Sequence, residues 1–179
     1  MSSRSFCLKP FESAGELPHF TITGNIGRQA NKLFINYTLS GILDDILVPQ
    51  PSDMPCRRNA LWEETCFEFF LGLKNSERYW EFNLSPAGHW NVYSFSSCRE
   101  GMHEEASVVS LPFLVSIQPE AFVLSLEFNL DKLVSEGQDL EVGISAVVKT
   151  EKGKISYWAL DHPGPQADFH RRDSFIVDL

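Results

Sequence analysis

The sequence predicts an all-β protein, an antiparallel β-sandwich of about ten strands. Apolar and polar residues alternate along most of the chain, short segments rich in Gly, Pro or Asn separate the alternating runs, and almost no segment favours a helix. Because successive side chains of a strand point to opposite faces, each run predicts a strand with one face on a core. At 179 residues the chain is long enough for a two-layer core, and we expect residues 1–179 to form a single domain.

The first third of the chain predicts three strands and a long loop. Residues 6–11 and 20–24 are predicted edge strands, separated by a polar stretch, residues 12–19. Residues 33–39 alternate apolar and polar side chains and predict a half-buried strand. Residues 41–59 contain three Pro within seven positions, which excludes regular structure there, and the length of this loop favours a functional role.

The stretch from residue 61 to residue 95 carries three of the four Trp and predicts three successive strands. In the first of them, residues 61–71, the odd-numbered row is mostly apolar at its C-terminal end and is expected to face the core. The other row carries Trp62, Glu64 and Glu68, which would share the opposite face. We interpret this face as a binding surface.

The second predicted strand, residues 79–84, alternates an apolar row with a polar row that includes Asn83. Residues 85–88, Ser-Pro-Ala-Gly, suit a type I turn and predict a hairpin into the third strand, residues 90–95. If the turn keeps a simple register, Trp90 lies opposite Asn83 on the polar face, whereas a single bulge would send it into the core.

The C-terminal half predicts further strands with short connections. One short segment, residues 131–135, is long enough for a helical turn, and residues 161–170 are predicted to form a loop. The predicted strands are residues 107–117, as one or two strands broken at Pro112, and then residues 122–129, 140–148, 155–160 and 174–179.

Composition excludes several classes of partner. A net charge of -9 and a pI near 5.0 argue against a nucleic-acid partner and against an acidic membrane surface, because both require a basic protein surface. We find no apolar run of signal-peptide or membrane-span length, so we expect a cytoplasmic protein. The four Cys form no CxxC pair, which argues against a zinc knuckle and predicts free thiols.

The predicted binding surface has the groups that a saccharide site needs. A sugar ring has apolar C–H faces that stack on indole rings, and its hydroxyls pair with carboxylates, amides or guanidinium groups. The surface supplies this set with Trp62, Glu64, Glu68, Asn83 and, depending on the register, Trp90. The sequence therefore predicts a small-molecule ligand, preferably a saccharide, bound without being turned over.

Two parts of the chain resemble a known superfamily. Leu-Trp-Glu-Glu-Thr-Cys-Phe-Glu at residues 61–68 and Phe-Asn-Leu-Ser-Pro-Ala-Gly-His-Trp-Asn-Val-Tyr at residues 82–93 are similar to the DOMON-like superfamily, which includes the family-nine carbohydrate-binding modules. Tyr-Trp-Ala-Leu at residues 157–160 and Asp-Phe-His at residues 168–170 resemble a subgroup of small bacterial DOMON-like proteins. The resemblance spans most of the chain.

The resemblance implies a jelly-roll-like sandwich whose members bind sugars or, in other branches, haem. Carried over to this sequence, it implies that Trp62 is a stacking platform and Trp158 a second one. It also implies that Glu68 accepts hydrogen bonds from sugar hydroxyls and that Arg99 donates to them.

No cofactor is predicted, although haem, calcium and another metal stay open as alternatives. Haem needs axial Met or His ligands, for which the candidates are Met54, Met102, His89, His103, His162 and His170. Calcium could be held by Asp44, Asp45 or Glu63. The loop residues His162, Asp168 and His170 have suitable types and spacing for a metal, and His162 is also a candidate for ligand binding.

Two other functions compete with saccharide binding. Glu64 and Glu68 would lie about 7 Å apart along one strand, a spacing compatible with a hydrolytic carboxylate pair. Groups on one strand point the same way, however, instead of facing each other across a substrate, so we predict no catalytic residue. The second competitor is a protein-interaction module that uses the sheet face.

Overall fold

The computed structural model describes residues 3–11 and 19–179, which form thirteen strands in two antiparallel sheets. The prediction of an all-β antiparallel sandwich is confirmed. Within the two described ranges, we find no helix with the length and hydrophobicity needed to cross a membrane.

The first sheet has five strands. Their order across the sheet is β1 (Ser3–Cys7), β3 (Phe20–Gln29), β4 (Lys32–Gly41), β10 (Ala121–Asn129) and β9 (Phe113–Gln118).

The second sheet has eight strands and carries the site described below. Seven of them follow one another across the sheet, in the order β2 (Lys9–Pro10), β12 (Ile155–Ala159), β11 (Leu140–Lys149), β5 (Cys66–Leu73), β6 (Tyr79–Leu84), β7 (Trp90–Phe95) and β8 (His103–Glu104). The eighth, β13 (Val177–Asp178), pairs with β11.

Several strand predictions differ from the structure, and at residues 174–179 only β13 is strand. The predicted edge strand at residues 6–11 is divided between β1 and β2, which belong to different sheets. The predicted edge strand at residues 20–24 is the start of β3, which lies between two other strands because β1 covers its outer side. At residues 107–117 only β9 is strand. The predicted polar stretch, residues 12–19, lies outside the described residues except for His19.

Strand β5 begins later than predicted. Residues 61–63 form a short 3-10 turn, preceded by Ala60 in the left-handed conformation with φ of 56°. Strand pairing starts only at Cys66. The alternation predicted for residues 61–71 therefore holds only from Cys66 onward.

The main core lies between the two sheets. Phe67 of β5 stacks on Phe122 of β10 across the sandwich, with ring centroids 5.2 Å apart. Phe69 and Phe82 stack within the second sheet at 4.3 Å. All four rings are buried. Phe67 and Phe69 belong to the odd row of β5, and Phe82 belongs to the even row of β6, the rows that the alternation assigned to the core.

The opposite face of the second sheet carries a smaller aromatic cluster, which consists of Phe70, Tyr79, Tyr93, Phe95 and Phe175. Phe175 belongs to the segment before β13, and its ring lies over Gly143 of β11, where a Cβ atom would be 2.8 Å from the ring. The C-terminal segment, residues 167–175, is thus fastened onto the outer face of the sheet. It leaves part of that face open as a pocket.

Candidate ligand-binding site

A pocket of about 400 Å³ lies on the outer face of the second sheet. Its floor is formed by strand residues that point away from the core, which are Glu68 and Phe70 of β5, Glu81 of β6, Phe95 of β7 and Val147 of β11. Its walls come from the 3-10 turn, from the loop after β7, from β12 and from the C-terminal segment. This volume falls within the range of small-molecule sites.

Glu68 is the most unusual group of the floor. Its side chain is only 2% exposed, and Oε2 accepts a long hydrogen bond of 3.4 Å from Ser145 Oγ. Oε1 is buried without a hydrogen-bond partner in the described structure. Burial, followed by the negative charge of Glu81, raises the pKa of Glu68 well above its usual value. Burial therefore favours the protonated form of Glu68 more than that of an ordinary carboxyl group.

Glu81 is the second buried carboxyl of the floor. Burial raises its pKa to about 7, although a hydrogen bond from Asn83 Nδ2 to Oε1, 2.9 Å long, opposes the rise. Asn83 faces Glu68 directly across the strand pair and is fully buried. The buried amide of Asn83, which lies on the same face of β6, therefore orients the carboxyl group of Glu81.

His170 connects the C-terminal segment to this floor. Its Nε2 lies 3.8 Å from Glu81 Oε2, and its Nδ1 lies 2.9 Å from the hydroxyl of Tyr79. Burial, followed by the charge of Arg99, lowers the pKa of His170 to about 4, so the ring is neutral at neutral pH. Burial also raises the pKa of Tyr79 to about 12, which keeps its phenol proton in place. We infer that Tyr79 donates to Nδ1 and that the ring proton resides on Nε2, directed at Glu81.

Arg99 is at the rim. Its φ of 58° is left-handed, a strained conformation for a residue with a side chain. Its guanidinium donates to Asp168 Oδ1 over 2.7 Å, and the backbone N–H of His170 donates to the same oxygen. Burial would raise the pKa of Asp168, but these hydrogen bonds and the charge of Arg99 lower it overall. The pair ties the β7–β8 loop to the C-terminal segment.

Aromatic rings supply the apolar walls. Trp62 is 37% exposed and rests edge-on against Tyr93, with ring centroids 5.7 Å apart. Tyr157 is 42% exposed and packs in the same way against Phe169 at 6.1 Å. Both exposed rings line the pocket, so each can present an apolar face to a ligand.

Three of the predicted ligand-binding residues line this pocket: Trp62, Glu68 and Arg99. Asn83 is on the correct face but supports Glu81 from a buried position.

Trp90 and Trp158 require correction, because both lie in the core. Trp90 pairs with Leu84 instead of Asn83. Gly88, with a left-handed φ of 88°, forms a one-residue bulge in the hairpin, and this extra residue shifts the pairing by one position. Its ring is 6% exposed. Trp158 is 3% exposed and packs on Phe20 at 4.8 Å, so it cannot act as a stacking platform.

Glu64 and His162 also lie away from the pocket. Glu64 follows the 3-10 turn and faces Lys149, with Oε1 3.7 Å from Nζ and more than half of its side chain exposed. His162 Nε2 is 2.9 Å from the carbonyl oxygen of Lys9, so it supports the end of β2. Neither residue belongs to β5, β6, β7 or β11, the strands whose side chains form the floor of the pocket.

Several pocket residues were not predicted. Glu81 lies in the predicted polar row of β6, two positions before Asn83, which faces Glu68 on the neighbouring strand, and this position in the row was the available signal. Tyr157, Phe169 and His170 lie in segments that carried the resemblance, but no local pattern placed them beside β5 and β6.

Two of the candidate haem ligands, Met102 and His170, line the pocket. His170 Nδ1 lies 2.9 Å from the Tyr79 hydroxyl, while His162 and Asp168 contact the Lys9 carbonyl and the Arg99 guanidinium. Across residues 3–11 and 19–179, no three His, Cys, Asp or Glu side chains gather in a metal-binding arrangement.

Two solved structures superpose on this fold. A protein from Bacteroides uniformis ATCC 8492 that is proposed to bind carbohydrate superposes with a TM-score of 0.73 at 14% identity, over 97% of this chain and 84% of the other. A family-nine carbohydrate-binding module from Caldicellulosiruptor kristjanssonii, in complex with glucose, superposes with a TM-score of 0.54 at 9% identity, over 91% of this chain and 77% of the other. This chain shares their fold.

No protein-family model matches the sequence, and no curated protein matches it. The resemblance to the family-nine modules thus holds at the level of fold, while membership of the DOMON-like superfamily stays a prediction.

Proposed function

We propose that this protein binds a saccharide in the pocket on the outer face of its second sheet, without turning it over. The observation that carries the proposal is the buried Oε1 of Glu68, which has no partner in the described structure and belongs to a residue of the pocket floor. A buried acceptor without a partner is costly, and a ligand hydroxyl would satisfy it.

The walls suit the rest of a sugar ring. Trp62 and Tyr157 offer exposed aromatic surface for the C–H faces, while Glu81 and the rim residue Arg99 offer further polar contacts. The volume of about 400 Å³ suits a small ligand such as a mono- or disaccharide. The glucose complex of a protein with the same fold supports this ligand class.

The position of the carboxyl groups favours binding over hydrolysis. Glu68 and Glu81 project from adjacent strands of one sheet, so both approach a ligand from the same side. A glycoside hydrolase instead places its two carboxyl groups on either side of the scissile bond.

Isothermal titration calorimetry with neutral mono- and disaccharides tests the proposal. We expect Trp62→Ala to weaken the affinity by about tenfold or more, because it removes a stacking surface. Leu114→Ala is the matched control, since Leu114 is 77% exposed on β9 of the other sheet. Absence of binding to every sugar, or equal affinity of the wild type and Trp62→Ala, would overturn the proposal. Hydrolysis of a chromogenic glycoside that is abolished by Glu81→Gln would replace it with a catalytic function.

A further inference from the structure

In the described residues, no permanently charged cation pairs with the carboxyl groups of the pocket floor. Arg99 is the cation of the rim, and Asp168 holds its guanidinium at 2.7 Å. His170, beside Glu81, is neutral. In the part of the chain that the structure describes, the carboxyl groups of Glu68 and Glu81 have no ion-pair partner other than this neutral imidazole.

Within residues 3–11 and 19–179, the hydrogen-bond partners of the two carboxyl groups carry no positive charge. Ser145 and Asn83 are neutral hydrogen-bond partners of Glu68 and Glu81 respectively. Burial raises the pKa of the Cys66 thiol and of the Tyr79 phenol, so both are neutral at neutral pH. The charge of Arg99 lowers the pKa of Glu81 only as a minor contribution beside burial. A ligand cation would therefore meet two acidic groups and no competing cation in direct contact with them.

The aromatic walls suit the same kind of ligand. Rings attract a cation through their electron-rich faces, and aromatic residues around acidic groups form the cages that bind organic ammonium ions. Five aromatic residues line the pocket, and they are Phe70 and Phe95 of the floor and Trp62, Tyr157 and Phe169 of the walls. A neutral sugar can donate its hydroxyls to these carboxyl groups, but it does not supply the cation that they lack.

We propose that the ligand is a cationic saccharide, an amino sugar whose ammonium group is bound by Glu68 and Glu81 beneath the aromatic walls of the pocket. This inference rests on the proposed function and narrows its ligand class. The ammonium group donates to the unpartnered Oε1 of Glu68, and it replaces a proton that the carboxyl pair holds in the free protein. That proton passes to the buffer when the amino sugar binds.

The test compares matched sugars by calorimetry at about pH 6.5, below the pKa of about 7.7 typical of an α-amino group, so that the amine is charged. The probes are glucose, glucosamine and N-acetylglucosamine, with the corresponding galactose series. We expect each amino sugar to bind about tenfold or more tightly than its neutral parent and its N-acetylated form. Repeating the titrations in two buffers of different ionisation enthalpy measures the proton release expected for the amino sugars alone.

Variants separate this inference from the proposed function. Glu81→Gln should remove most of the preference for the amino sugar, whereas Trp62→Ala should weaken charged and neutral sugars alike. Neutral sugars that bind as well as amino sugars, or amino sugars that bind without releasing a proton, would overturn the inference and leave the proposed function intact. Failure of every sugar to bind would overturn both. The proton release is measured on the wild-type protein, so the result does not depend on a variant that folds.

Discussion

Nε2 of His170 lies 3.8 Å from Oε2 of Glu81, although 89 positions separate the two residues in the chain. This contact joins the C-terminal segment to the floor of the pocket. With a pKa of about 4 for His170 and about 7 for Glu81, both groups are neutral over most of the interval between those values. The contact is therefore polar but is not an ion pair. The protonation of Glu81 can consequently change when a ligand binds.

The raised pKa of Glu81 makes the stability of the protein depend on pH. Between about pH 4.5 and about pH 7 the folded state binds more protons than the unfolded state, so stability falls as the pH rises through this window. We expect Glu81→Gln to remove this loss and to raise the free energy of unfolding at pH 8 by up to about 3 kcal/mol, with little effect below pH 4.5. Urea unfolding across this range measures the difference.

Glu120→Gln is the control for that experiment, because Glu120 is exposed in the β9–β10 turn. His170 has the opposite dependence, since its lowered pKa makes stability fall as the pH drops from about 6.5 to about 4. Comparing variant with wild type at each pH cancels this contribution. A Glu81→Gln protein no more stable than wild type at pH 8 would contradict the assignment.

Tyr79 should control the tautomer of His170. Its hydroxyl lies 2.9 Å from Nδ1 of His170 and accepts the backbone N–H of Arg99 at 3.1 Å. We expect Tyr79→Phe to cost about 1–2 kcal/mol and to release the ring from the Nε2–H tautomer, which ¹⁵N chemical shifts of the imidazole report. Tyr157→Phe is the matched control, because the Tyr157 hydroxyl makes no hydrogen bond within residues 3–11 and 19–179. An unchanged tautomer in Tyr79→Phe would show that another contact fixes the ring.

Gly143 should affect ligand binding from outside the pocket. A Cβ atom at this position would be 2.8 Å from the ring of Phe175, which is itself buried against the sheet. We expect Gly143→Ala to displace the C-terminal segment, lower stability by about 1–3 kcal/mol and weaken saccharide affinity by moving His170. Gly164→Ala is the control, because the nearest atom there is the flexible end of Arg171 at 3.3 Å. Equal affinities for the two variants would argue against a role of the segment in shaping the pocket.

The two indole rings assigned to stacking should behave differently. Trp158 lies in the core, so Trp158→Ala should destabilise the protein by about 3–5 kcal/mol. Trp62 is exposed at the pocket, so Trp62→Ala should cost less than about 1 kcal/mol of stability while lowering affinity. Thermal unfolding together with calorimetry distinguishes these outcomes. A larger loss of stability for Trp62→Ala than for Trp158→Ala would contradict both placements.

The sequence predicted the sandwich and part of the floor because local alternation encodes them. The odd row of β5 faces the core, and Glu68 points to the other side as expected. The side taken by Trp90 depends on the conformation of one residue, Gly88, so the alternation left it open. Tyr157 and Trp158 are successive residues of one alternating run, so the pattern does not say which of them is buried. The contact of Trp158 with the distant Phe20 decides this.

The remainder of the pocket could not be predicted because it is built from non-local contacts. Phe169 and His170 reach the floor because Phe175 anchors their segment over Gly143. The register between β5 and β6, which sets Asn83 opposite Glu68 and Phe70 opposite Glu81, brings the two carboxyl groups into one pocket. The anomalous pKa values of these carboxyls follow from burial beneath that segment, which no local pattern reveals.

A crystal structure of the protein soaked with saturating sugar would show whether the pocket binds a saccharide. We expect a sugar ring against Trp62 in the pocket, with one of its polar groups within about 3 Å of Oε1 of Glu68. An ordered sugar at a different surface, or an empty pocket at saturating sugar, would contradict this expectation.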